Sequence, residues 1–199
     1  MGSASSGAAR GRRIAREGGG YVGGMARRLR PASLYPHARG SVLVPLMLSG
    51  LPEEGETQGA TWALKEEFHV TAVHTPWLAQ RAGVPLEHAW RELSATLEGR
   101  RAGPVRIGEE LRLVREGEER TLIVMVRVDG LGELYAELSR RLGAPLVPPP
   151  THITLYTRPG GEGIGIHDES ALRCRTEPLR GRRAAEIREA IRFDAVLAS

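Results

Sequence analysis

The sequence predicts an α+β protein whose sheets are mostly antiparallel. Apolar and polar residues alternate at 104–114 and 121–128, and apolar residues recur at helical spacing at 85–98, 131–142 and 182–196. Two further strings, Phe68-His69-Val70-Thr71-Ala72-Val73 and Thr151-His152-Ile153-Thr154-Leu155-Tyr156, embed a His-x-Thr in β-favouring residues. Period-2 patterning marks a half-buried strand and 3.6 spacing an amphipathic helix. The order of strand, motif strand, helix, hairpin, helix, motif strand and helix is that of an α+β fold.

Residues 1–40 are rich in Gly, Ser, Ala and Arg and show no hydrophobic period, which predicts a disordered Arg/Gly-rich tail before a folded body at 41–199. Three readings compete with plain disorder: a transit peptide, a nucleic-acid-binding arm, or an artefact of start-site choice with Met25 as the true start, and a dispensable tail or mis-called start is favoured. Val42 to Leu48 is an apolar run far short of the roughly 20 residues a membrane span needs. It reads as a buried first strand, with Pro45 pointing to an edge or a bulge.

In the first motif, strict alternation puts His69, Thr71, Val73 and Thr75 on one face and Phe68, Val70, Ala72 and His74 on the other. Pro76 then breaks the strand. Leu86, Ala89, Trp90, Leu93 and Leu97 form one helical stripe, with Gly99 and Gly103 as stop signals. Val105, Ile107, Leu111 and Leu113 share a strand face, as do Leu122, Val124, Val126 and Val128, and 115–120 is an exposed hairpin loop between them. A helix at 131–142 buries Leu131, Leu134, Tyr135, Leu138 and Leu142 and ends at Gly143. Pro148-Pro149-Pro150 stiffens the approach to the second motif. There His152, Thr154, Tyr156 and Arg158 line one face and Ile153 and Leu155 the other. The last helix, 182–196, carries Ile187, Ala190, Ile191 and Ala195.

Composition bounds the possibilities. The 199 residues, 41% hydrophobic and 26% charged, suit one domain or two small lobes sharing a core. A net charge of +4 suggests nucleic acid until it is located: residues 1–40 hold eight Arg against Glu17, giving +7, so residues 41–199 carry −3. The basic residues are almost all Arg, with Lys65 the lone lysine. Cys174 is the single cysteine, which rules out an intramolecular disulfide and a Cys-rich metal site and fits a cytoplasmic protein.

With 6 His and 10 Thr, chance would give roughly 0.3 His-x-Thr matches, so two with matching flanks stand out. The structural alternative is two amphipathic strands whose His and Thr merely face solvent. If the two polar faces meet, two imidazoles with ordinary pKa near 6.5 can divide the work of base and acid at neutral pH. The hydroxyls of Thr71 and Thr154 can then donate to non-bridging phosphate oxygens. Which His is the base is open from sequence.

The paired His-hydrophobic-Thr strings resemble the 2H phosphoesterase superfamily, which includes 2′-5′ RNA ligase-like proteins and RNA 2′,3′-cyclic phosphodiesterases. The resemblance covers about residues 41–199. It implies a two-lobed fold with a cleft between the lobes, each motif on a central strand of one lobe. It also implies a monomeric enzyme without metal or cofactor that acts on 2′,3′-cyclic phosphates of RNA ends or cyclic nucleotides, with His69, Thr71, His152 and Thr154 as catalytic residues. Members usually carry a sizeable helix between first strand and first motif, where residues 52–67 hold Pro52, Gly55 and Gly59 instead. A non-catalytic RNA- or nucleotide-binding module that keeps the cleft is the alternative function, and an enzyme acting on another cyclic phosphate is a third.

Other candidates are weaker. Tyr156 and Arg158 are substrate-binding candidates, a ring to stack on a base and a guanidinium for a phosphate, against a strand-end Tyr and a solvated Arg. The loop Pro159-Gly160-Gly161-Glu162-Gly163-Ile164-Gly165 is expected to be a mobile turn more than a phosphate cradle, since it lacks a P-loop ending. His74 is expected to be a packed or rim residue on the face opposite His69. His167, Asp168 and Glu169 fit a helix start or surface turn better than a cation site.

Overall fold

The computed structural model describes residues 35–37, 40–57 and 59–194. The expected disorder of the tail at 1–34 and the role of Ala195 lie outside the described residues. The elements are β1 (Tyr35–His37), β2 (Ser41–Ser49), β3 (Glu54–Thr57), β4 (Ala60–Leu64), β5 (Phe68–His74), α1 (Thr75–Ala82), α2 (Leu86–Leu97), β6 (Val105–Glu116), β7 (Glu119–Val128), α3 (Leu131–Leu142), β8 (His152–Thr157), α4 (Glu169–Arg175), β9 (Thr176–Pro178), α5 (Arg182–Ala190) and β10 (Arg192–Asp194). The fold is α+β, and every strand pairing among the described residues is antiparallel.

The sheet runs β1-β2-β5-β8-β7-β6-β9, with β10 on β2 and the β3–β4 hairpin on β8. Tyr35–His37, six residues before the boundary expected at 41, pairs with Ser41–Leu43. On its outer edge β2 is shared between β1 at Ser41–Leu43 and β10 at Met47–Ser49. Pro45, which has no N–H to give, sits in the gap between them.

The main core lies between the sheet and helices α1 to α3. Leu78, Leu93, Leu134, Tyr135 and Leu138 meet Val42, Val44, Val70, Leu122, Val124, Ile153 and Leu155 there. Burying a side chain of that size contributes roughly 1.5–3 kcal/mol. Of the alternating positions of β6 and β7 expected to share a face, Val105, Leu111, Leu113, Leu122, Val124 and Val128 are buried in this core, and Ile107 and Val126 are half-buried and pack against it. A smaller cluster of Val114, Ile123, Ile164 and Ile166 forms on the opposite face.

Local chemistry explains the departures. Pro76 starts α1, because a proline is tolerated in the first helical turn. The exposed loop expected at 115–120 contracts to a tight turn, since Glu116 faces Glu119 and Gly117 supplies φ +59°. Where the family resemblance implies a helix, Glu54–Thr57 pairs antiparallel with Ala60–Leu64. The last helix stops at Ala190, and β10 follows on β2 in place of a helix to 196. Among the described residues no helix is long and apolar enough to cross a membrane.

Candidate active site

The two His-x-Thr strands lie side by side. Val70 of β5 faces Ile153 of β8, and the antiparallel register puts His69 level with Thr154 and Thr71 level with His152. Beyond this one pair the strands part, and β4 takes the far end of β8 through Ala63–Thr157 and Leu64–Tyr156. His69, Thr71, His152 and Thr154 all line a single cleft of about 490 Å³. The four residues selected from sequence are therefore brought together, with Trp77 of α1 bordering the same cleft.

Each motif is followed by the same irregularity. In β5, Leu43 faces Thr71 while Val42 faces Val73, so Ala72 is an extra residue. In β8, Ile123 faces Thr154 while Leu122 faces Tyr156, so Leu155 is extra. An extra residue shifts the alternation by one and turns every later side chain to the other face. The bulge carbonyls find local donors: the Tyr135 hydroxyl donates to Ala72 O at 3.2 Å, and the Lys65 amide donates to Leu155 O at 2.9 Å.

The bulges correct four sequence expectations. Val73 turns into the core, fully buried. His74, expected opposite His69, comes round to line the cleft. Tyr156, expected beside Thr154, is 1% exposed in the main core and donates its hydroxyl to Pro52 O at 3.0 Å. Arg158 is exposed and donates to Glu118 O at 3.0 Å, and neither it nor Tyr156 lines the cleft. The substrate-binding pair read from strict alternation therefore does not reach the site.

His74 also caps α1, its Nδ1 accepting from Trp77 N at 3.3 Å, and it stacks on His167 with ring centroids 4.5 Å apart. Burial lowers the His74 pKa, and the charge of His167 lowers it further. Burial likewise lowers that of His167, with Arg175 adding to the shift and Asp168 and Glu116 opposing it. Asp168 starts α4, accepting from Ala171 N at 2.7 Å. Among the described residues no group of three or more His, Cys, Asp or Glu is placed to hold a metal ion.

His152 is the most perturbed group of the site. Burial pushes its imidazole down to about 4, the Pro150 carbonyl opposes the shift, and His167 and His69 depress it slightly more. Its Nδ1 is shut off from water and closes no hydrogen bond within normal geometry. Thr151 fixes the approach to β8, its Oγ1 donating to Val126 O at 2.7 Å while the Val126 amide donates back to Thr151 O at 3.0 Å.

The glycine-rich loop is pinned to the sheet. Ile164 and Ile166 pack on Val114 and Ile123, while Gly163 and Gly165 alternate with them on the exposed side. A Cβ on Gly163 would stand 3.1 Å from Thr154 Oγ1, so the loop backbone rests against the threonine hydroxyl. Sequence reasoning missed this segment as a cleft wall, along with His74, Trp77, His167 and Lys65. The Gly-Ile-Gly-Ile alternation was the available signal for the loop.

No family model, curated protein or solved structure matches this chain.

Proposed function

We propose that the cleft opens 2′,3′-cyclic phosphates of RNA ends or related nucleotides by paired-histidine acid/base catalysis, within a two-lobed 2H phosphoesterase-like fold. The observation that carries this reading is the convergence of His69, Thr71, His152 and Thr154 on one cleft wall, with Val70 opposite Ile153 at their centre. The joining of the β2–β5 and β8–β7–β6 parts of the sheet by that one pair supports this two-lobed reading.

His152, neutral at pH 7 because burial disfavours its charged form, takes the proton of the attacking water. With Nδ1 buried, Nε2 is the nitrogen left to meet that water. The water oxygen forms a bond to phosphorus as one ribose–oxygen bond to phosphorus breaks, and His69 delivers a proton to the departing ribose oxygen. Thr71 and Thr154 donate to the non-bridging oxygens as charge builds, each worth roughly 2–4 kcal/mol in the transition state when pre-aligned. The two imidazoles supply both proton transfers, so the scheme runs in a chelator.

Incubating the protein with nucleoside 2′,3′-cyclic phosphates in chelator should yield a 2′- or 3′-monophosphate. Binding without turnover, insensitive to loss of either His, would instead mark a nucleotide-binding module.

A further inference from the structure

Of the 28 Lys and Arg in the chain, the lone lysine, Lys65, is the one whose side chain lines the cleft among the described residues, and no arginine does. We propose that Lys65 holds a second phosphate, the 5′-phosphate of the nucleotide whose 2′,3′-cyclic phosphate lies between His69 and His152. A nucleotide carrying both groups, as at an RNA 3′ end, is then the preferred substrate class. This inference rests on the function proposed above and adds the feature that selects among its substrates.

Placement supports it first. Lys65 follows β4, and its amide donates to the bulge carbonyl of Leu155 at 2.9 Å, one residue beyond Thr154. The backbone is thereby fixed at the His69–Thr154 end of the four-residue site, and Lys65, half-buried, lines the cleft. The opposite end is of another character. Trp77, the His74–His167 stack, Pro149 and Pro150 offer flat, weakly polar surfaces suited to a base. A nucleotide lying along the cleft with its base there sends its 5′ side towards Lys65.

Charge supports it second. Glu67 and Glu162 also border the cleft, both exposed, so a second anionic group is favoured where Lys65 offsets them. Several arginines are committed to carboxylates, as in Arg106–Asp129 at 2.8 Å and Arg115–Glu177 at 2.7 Å. Lys65 forms no ion pair of this kind among the described residues. An ammonium on a flexible stem can follow a phosphate as a point charge without bidentate geometry.

The test compares adenosine 2′,3′-cyclic phosphate with its 5′-phosphorylated form on wild type, Lys65→Met and Lys65→Arg. Lys65→Met should raise KM for the 5′-phosphorylated substrate by about tenfold or more, the size of one lost charged contact, and leave the other substrate within about twofold. Lys65→Arg should recover most of the loss. Equal losses on both substrates, or none on either, would overturn the proposal. A readout independent of turnover is calorimetric binding of adenosine 3′,5′-bisphosphate against adenosine 3′-monophosphate, with melting curves confirming that each variant folds. Wild type should prefer the bisphosphate by about tenfold, and Lys65→Met should show no preference. That preference without turnover of either substrate would refute the catalytic reading and keep the Lys65 site. Turnover without a 5′-phosphate preference would do the reverse.

Discussion

Val70 lies opposite Ile153, and that antiparallel pair joins the two His-x-Thr strands. Both residues are fully buried under the helices, so the flanking His and Thr of each strand turn to the other face together. His69 comes level with Thr154 and Thr71 with His152, an approximate two-fold arrangement about the pair. Local burial then distinguishes the halves, for His152 sits behind Pro150 with Nδ1 enclosed.

Stability should depend on pH through His152. Its folded pKa, about 4, lies below the ordinary 6.5, so between these values the unfolded chain binds more protons. Folding stability is therefore fully present above pH 6.5 and falls as pH drops towards 4, by up to about 3 kcal/mol from this group. His74 and His167 shift in the same direction. Denaturant melts of wild type and His152→Gln across pH 4–7 should show a shallower slope in the variant; parallel curves would contradict the assignment.

Catalysis should follow the same group. With His152 as base, the acid limb of kcat/KM on a 2′,3′-cyclic nucleotide should lie near pH 4, well below the 6.5 of a free imidazole. A limb at 6.5 would place the base elsewhere.

Tyr156 anchors the core through its hydroxyl on the Pro52 carbonyl. Tyr156→Phe should cost about 1 kcal/mol of stability and leave KM within about twofold, as should Arg158→Ala, because neither side chain reaches the cleft. A large rise in KM for either variant would restore the substrate-binding role read from strict alternation.

The loop glycines should separate activity from stability. Gly163→Ala brings a Cβ to 3.1 Å from Thr154 Oγ1, and displacing that hydroxyl should lower kcat by roughly tenfold with little change in melting temperature. Gly132, inside α3 with open space around its Cβ position, should do the opposite on mutation to Ala. About 0.5–1 kcal/mol of added stability is expected there, with activity unchanged.

Much of this architecture was legible in the residues. Helix α3 falls at Leu131–Leu142, where the apolar stripe ends at Gly143, and the core faces of β6 and β7 follow their alternation. Side-chain phase beyond each motif was not legible under strict alternation, because a single extra residue reverses it. In hindsight the doublets Ala72-Val73 and Leu155-Tyr156 mark the change, two successive apolar residues where the pattern demands one polar. Lys65 escaped notice for another reason. Its place depends on the Leu155 bulge carbonyl accepting its amide, a contact with no trace in local periodicity.

The central claim is that both histidines act on one phosphate. Its most direct test is kcat/KM on a nucleoside 2′,3′-cyclic phosphate for His69→Ala, His152→Ala and the double variant. The shared site predicts that each single change removes nearly all activity, about a thousandfold or more, and that the double variant is hardly worse than either. Substantial activity remaining in either single variant would contradict it.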